Sequence, residues 1–211
     1  MRQDTEFQRD YDYRLSDLIG VYDNVIETLF CDEIIEYFEE SRTFRTDDSR
    51  KSCTEMQLMG DPRSRAIGYK ELLWQKISPY GTKYETMLHN ACRSDFKPTD
   101  IPLAAKYRNC IRSLQIQKYT SEDKGYPAVH TESGPQFKDR FLAVIVYLNT
   151  VDAGGETVFP LAGSCITPEV GRLVIWPTAI PFYHCGMKSL SDKYILTTWF
   201  EFASPEGIRY A

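Results

Sequence analysis

The sequence predicts an α+β fold, with helices in the first half of the chain and short strands in the second. Three observations predict it. Before residue 92 the apolar side chains recur at helical spacing. From about residue 110 they gather instead into short runs rich in β-branched and aromatic residues. Turns containing Gly, Pro, Ser and Asp separate those runs.

Taken in order, residues 1–16 are polar with interspersed tyrosines and read as an extended arm. Residues 19–26 form a short strand around Val21 and Tyr22 that ends in a turn at Asp23-Asn24. Between 29 and 41, Leu29, Phe30, Ile34, Ile35 and Phe38 share one helical face, while Asp32, Glu33, Glu36, Glu39 and Glu40 take the other. The charged, apolar-poor stretch 43–52 reads as a mobile loop. A strand at 53–59 follows, then a turn at Gly60-Asp61-Pro62.

Leu73, Ile77, Tyr80, Tyr84, Met87 and Ala91 next make one buried stripe of a long helix. Pro79 falls off that stripe, so a kink or two stacked helices are both compatible with it. His89 also falls off the stripe and reads as a surface histidine. Strands are then predicted at 111–119, 141–148, 157–159, 172–176 and 194–202, the pattern of a sandwich, jelly roll or barrel.

The bulk properties narrow the function. A chain of 211 residues can bury a full core, and 42% hydrophobic with 26% charged residues excludes a disordered chain. The formal net charge of −5 offers no global attraction to nucleic acid or anionic lipid, so neither partner is expected. Six cysteines without a CxxC pair fit neither a zinc nor a disulfide framework. No leader-like segment and no membrane-length apolar run is read, so reduced thiols and a cytoplasmic location are expected, in the host cytoplasm if the source is viral.

Only three histidines occur, and two of them fall into one metal-binding pattern. His130 and Glu132 stand two apart and point to one side of an extended chain. His184 lies between two predicted strands further on. Two imidazoles and a carboxylate can occupy one face of an octahedral iron(II) and leave positions open for O2 and a chelating co-substrate. Lys193, opening the last strand, supplies a fixed cation for the far carboxylate of such a co-substrate. Cys185 adjoins a ligand but points to the opposite side, as a buried structural thiol.

These residues resemble the prolyl 4-hydroxylase branch of the 2-oxoglutarate/iron(II) dioxygenases. The likeness runs from about Ile111 to Phe202 in five ordered blocks: residues 114–119, 126–132, 140–149, 154–160, and 168–176 with His184-Cys185-Gly186 and Lys193. Gly154-Gly155-Glu156-Thr157 is its most distinctive piece. Residues 19–41 also resemble that family's opening strand and helix.

The resemblance implies a double-stranded β-helix, or jelly roll, with N-terminal supporting helices. It divides the chain into 1–109 (arm, strands and supporting helices of the same domain), 110–203 (catalytic core) and 204–211 (tail). It implies His130, Glu132 and His184 as iron ligands and Lys193 as partner of the 5-carboxylate of 2-oxoglutarate. Tyr147 matches a tyrosine that assists Lys193, Tyr119 one near the iron end of the co-substrate, and Thr197 and Trp199 positions lining that pocket. Ascorbate is implied as a reductant. One departure stands out: the branch carries Asp where this chain has Glu132.

The implied activity is hydroxylation of a prolyl or similar residue in a protein or peptide, with release of succinate and CO2. Hydroxylation of a free amino acid or other small molecule, and a catalytically silent binding module, remain as alternatives. Residues 43–52 and 121–125 are candidate substrate lids.

Overall fold

The computed structural model describes residues 15–91 and 113–202. The predicted tail, Cys92, Cys110, nearly all of the predicted arm and the first residues of the strand predicted from 111 lie outside them. After a single 3-10 turn, Leu15–Leu18, the chain runs β1 (Gly20–Tyr22), α1 (Thr28–Glu39), β2 (Phe44–Asp47), β3 (Ser52–Gln57) and α2 (Ser64–Ala91). The second half contributes β4 (Leu114–Tyr119), β5 (Tyr126–His130), β6 (Arg140–Tyr147), β7 (Thr157–Phe159), β8 (Ser164–Ile166), β9 (Leu173–Pro177), β10 (His184–Gly186) and β11 (Lys193–Glu201).

The strands form two antiparallel sheets. Seven lie in the order β1-β9-β6-β11-β4-β3-β2 and four in the order β5-β10-β7-β8. This is the jelly roll that the resemblance implied, with the helices against the larger sheet.

Strand alternation explains why. Along β6, Leu142, Val144 and Val146 face the helices, where they pack with Ile34, Phe38, Leu73 and Ile77. Ala143, Ile145 and Tyr147 face the smaller sheet and meet Phe159 and Phe182. Both faces of the central strands are covered, so they read as continuous apolar runs. β11 alternates in the same way: Tyr194, Leu196 and Phe200 point to the helices, Ile195 and Trp199 to the barrel interior. A one-residue slip would exchange the two sets.

Both predicted helices form. α1 buries Cys31, Ile34, Tyr37 and Phe38 at three- and four-residue spacing. α2 runs as one helix through Pro79 rather than as two. Leu73, Ile77 and Tyr84 are fully buried on either side of that residue, while Pro79 itself is exposed, where water can replace the missing hydrogen bond.

One expectation is corrected. Residues 44–47 are not loop but β2, which pairs with β3 from Phe44 opposite Glu55 to Asp47 opposite Ser52. Its side chains are mostly exposed on a sheet edge, so no apolar alternation marks it. The short strands β5, β8 and β10 are likewise additional to the predicted set. Among the described residues no helix is long and apolar enough to cross a membrane.

Candidate metal centre and co-substrate cavity

The smaller sheet brings the metal-type residues together. β5 ends on His130, β10 begins on His184, and the two residues are partners across the antiparallel ladder. Their rings lie 4.3 Å apart. Glu132 stands just past the end of β5, held by its backbone N–H on Thr178 O at 3.0 Å. Its Oε1 lies 3.4 Å from His130 Nε2 and 3.3 Å from His184 Nε2. The three ligand atoms all fall within 4.8 Å of one another.

The hydrogen bonds behind the rings set the tautomer. His130 Nδ1 meets Ala128 O at 2.8 Å and His184 Nδ1 meets Phe182 O at 3.2 Å. A carbonyl only accepts, so each Nδ1 carries the proton and each Nε2 presents its lone pair inward. Two donors about 2.1 Å from one ion and at right angles lie roughly 3 Å apart, close to the separations here. The donor set therefore fits a divalent ion with open coordination positions.

The second oxygen of Glu132 is also committed. Oε2 accepts from Trp199 Nε1 at 3.0 Å and lies 3.5 Å from Arg140 Nη1. Tyr126 stacks on His130 with centroids 4.0 Å apart, and Trp176 packs edge-on against His184 at 4.9 Å. The ligands are thus walled by aromatic rings that fix their rotamers.

A cavity of about 620 Å³ runs from this triad to Lys193, along the inward residues of β11: Trp199, Thr197 and Ile195. Lys193 is 2% exposed, and its Nζ donates to Gly155 O at 2.9 Å. Burial lowers its pKa to about 8, with Glu156 opposing the shift. Near neutral pH this lysine still holds most of its charge, in a pocket that offers little other solvation. Gly155 has φ +76°, and a Cβ on it would come within 3.0 Å of Lys193 Cδ. The double-glycine block is therefore explained by backbone conformation and by the space that the lysine needs.

Of the remaining predicted residues, Thr197 and Trp199 line the cavity. Tyr147 is fully buried, and its hydroxyl bonds Thr157 Oγ1 at 2.7 Å, so it reaches the cavity wall through Thr157. Tyr119 faces Lys193 across the β11–β4 ladder, with the lysine Nζ 4.7 Å from its ring centroid. Its contact is with the lysine end of the cavity, where the resemblance placed it near the metal end.

Arg140 was not assigned a role by the sequence. Its guanidinium lies between the rings of Phe137 and Trp199, at 3.8 and 3.6 Å, and burial lowers its pKa. Gln115 and Gln117, also unassigned, are inward-facing neighbours of Thr197 and Ile195. Their alternation with the buried Leu114 and Ile116 was the available signal.

Known proteins share part of this chain's sequence and most of its fold. Residues 114–201 match the family model described as the 2OG-Fe(II) oxygenase superfamily. No curated protein sequence matches the chain. Among solved structures, a prolyl-4-hydroxylase from Pseudomonas putida superposes with a TM-score of 0.63 at 14% identity, covering 90% of this chain and 97% of that one. The viral collagen prolyl hydroxylase of Paramecium Bursaria Chlorella virus-1, in a 2OG complex, gives 0.59 at 18% identity, covering 89% and 97%. A Trichoplax adhaerens prolyl hydroxylase bound to a hypoxia inducible factor peptide fragment gives 0.61 at 15%, covering 88% and 84%.

The chain is therefore similar to the 2-oxoglutarate/iron(II) oxygenases in the sequence of its core. Within that class it shares the fold of the prolyl hydroxylases over most of its length. Fe(II) and 2-oxoglutarate are the cofactors that the matched family's description names.

Proposed function

We propose that this protein is a 2-oxoglutarate-dependent iron(II) dioxygenase that hydroxylates a prolyl or similar residue of a protein or peptide. One observation carries the reading: two imidazole Nε2 atoms converge on one carboxylate oxygen at one end of a cavity whose other end holds a buried lysine. His130, Glu132 and His184 hold the metal, and Lys193 takes the far carboxylate of the co-substrate. Iron, 2-oxoglutarate and O2 together supply the oxidising chemistry, with succinate and CO2 as co-products and a hydroxyl placed on a C–H bond.

The chain's own residues bind and orient. Trp199 holds the free oxygen of Glu132 so that Oε1 faces the ion. Tyr126 and Trp176 keep the imidazoles from rotating and limit water at the metal. Thr197 and Ile195 line the track between the metal and Lys193. Arg140, stacked and pointing at Glu132, borders the metal end, where a substrate carbonyl can accept from it.

A second hollow that shares a wall residue with the cavity supports a chain-like substrate. Gln57 lines both the main cavity and a second hollow of about 380 Å³, bounded by Arg42, Phe44, Met56 and Pro62. A polypeptide can occupy both; a free amino acid fills only one.

The test is turnover. Protein supplied with Fe(II), 2-oxoglutarate and O2 should form succinate, and proline-containing peptides should gain the mass of one oxygen. His184→Ala should abolish both signals. Succinate formation surviving in that variant, or oxygen gain only on free amino acids, overturns the corresponding part of the proposal.

A further inference from the structure

Beside the co-substrate track a chain of polar side chains, Glu55, Gln115 and Gln117, leads to Tyr119. Glu55, on the inward face of β3, is only 4% exposed, although it is a carboxylate inside a barrel. Four donors meet it: Lys51 Nζ at 2.7 Å, Gln117 Nε2 at 3.3 Å, Thr46 Oγ1 and Gln115 Nε2. The charge is therefore paired and its lone pairs are occupied, which is what makes its burial tolerable.

The chain of bonds has a fixed direction. An ionised carboxylate only accepts, so both glutamines must turn their NH2 groups towards Glu55. Their carbonyl oxygens then point the other way. Gln115 Oε1 accepts from Gln117 Nε2 at 3.1 Å, and Gln117 Oε1 accepts from the Tyr119 hydroxyl at 2.8 Å. Tyr119 is buried and lies beneath the Lys193 ammonium. A single acceptor on β3 thus sets, through two amides, where the phenol ring stands beside the cofactor-type lysine.

We propose that Glu55 is a positioning residue for the 2-oxoglutarate pocket, acting through Gln117 to hold the Tyr119 ring against Lys193. This rests on the function proposed above. Glu55 touches neither the metal triad nor Lys193, so its effect belongs to co-substrate affinity and not to metal binding. With Glu55→Gln, an amide NH2 would face the donors of Lys51 or Gln115, and the ordered chain would lose the acceptor that fixes its sense. The Tyr119 hydroxyl would then lose its amide partner and keep only Cys53, which loosens the face that supports a desolvated ammonium.

The experiment is calorimetric titration of 2-oxoglutarate into Mn(II)-loaded protein under nitrogen, with Mn(II) affinity and thermal stability measured on the same samples. Glu55→Gln should bind 2-oxoglutarate about tenfold more weakly, with Mn(II) affinity unchanged. Gln117→Leu, which leaves Glu55 with Lys51, Thr46 and Gln115, should give a similar loss. Tyr119→Phe removes the last bond of the same chain, so Glu55→Gln/Tyr119→Phe should be no weaker than the weaker single variant. Wild-type affinity in Glu55→Gln or in Gln117→Leu, or strictly additive losses in the double variant, overturns the proposal. If Glu55→Gln does not fold, Gln117→Leu and its double with Tyr119→Phe decide the question. Failure of the wild-type protein to bind 2-oxoglutarate overturns the proposed function itself, and this assignment with it.

Discussion

Trp199 donates its indole N–H to Glu132 Oε2 at 3.0 Å, while the other oxygen of the same carboxylate faces both His130 and His184. The carboxylate is thereby divided between a metal-facing and a protein-facing oxygen. Groups behind metal ligands typically contribute 10- to 100-fold in affinity. Trp199→Phe keeps the ring and deletes the donor, so Mn(II) or Fe(II) affinity should fall roughly tenfold. An unchanged metal titration would show that Arg140 alone suffices to orient Glu132.

The same division gives the length of the Glu132 side chain a purpose. Shortening the side chain by one methylene draws one or both oxygens back from their partners. Glu132→Asp should therefore weaken metal affinity by about tenfold, a smaller loss than that of Glu132→Ala, which removes the ligand outright. Metal titrations of the two variants check the order; equal losses would contradict it.

Lys193 ties co-substrate affinity to pH. Its ordinary pKa of 10.5 falls to about 8 on burial, so the folded protein binds less proton than the unfolded chain between those values. Stability from this group therefore rises as pH climbs from about 8 to about 10.5, and below that window the buried charge costs on the order of 3 kcal/mol. Lys193→Met should be more stable than wild type at pH 7, by an amount that shrinks through that window in denaturant titrations at stepped pH. The same variant should lose 2-oxoglutarate binding by 30-fold or more, roughly the effect of removing one partner of a buried charge pair. In the wild type, affinity should decline above about pH 8, because the neutral amine no longer attracts a carboxylate.

Gly155 contributes both a backbone carbonyl to Lys193 and the absence of a side chain beside it. Gly155→Ala places a Cβ at φ +76°, costing roughly 1–2 kcal/mol, and crowds Lys193 Cδ at 3.0 Å. Thermal denaturation should show the loss, and 2-oxoglutarate affinity should fall with it. A stability loss without an affinity change would mean that the lysine relaxes freely.

How much of this was legible in the sequence depended on whether a residue's type or its partner carries the information. His130, Glu132 and His184 could be picked out because imidazoles are scarce in this chain and a carboxylate stands two residues from one of them. The structure gathers those three side chains within one ligand sphere. The long stripe of α2 was equally legible, since Leu73, Ile77 and Tyr84 repeat over several turns. β2 was not, because an exposed edge strand takes its stability from backbone bonds to β3, which no side-chain pattern records. Arg140 gave no sign of its place, since the rings on either side come from different stretches of chain. The setting of Tyr119 depends on its partner Lys193, 74 positions away in the numbering.

Two stretches expected to form lids prove to be joined to each other. Asp123, 1% exposed, pairs with Arg45 of β2 and caps Thr120 N at 2.8 Å, while Lys124 N bonds Ser52 Oγ at 2.8 Å. Asp123→Asn should loosen the β2–β3 hairpin and speed proteolysis near residues 48–51, since the buried carboxylate holds both the Arg45 guanidinium and the Thr120 N–H. Limited proteolysis with the cleavage sites mapped checks it; unchanged resistance would mean that the pair is not what holds the hairpin.

β11 serves two masters at alternating positions. Every second residue faces the co-substrate track, and those between are wedged against α1 and α2. Chemistry and solidity are therefore interleaved along nine consecutive residues, so an insertion or deletion there would exchange lysine, threonine and tryptophan for tyrosine, leucine and phenylalanine in a single step. Evolutionary retuning of this protein has to proceed one inward residue at a time, or else in the hairpin and loops that border the opening, where lengthening a segment leaves the barrel's register untouched.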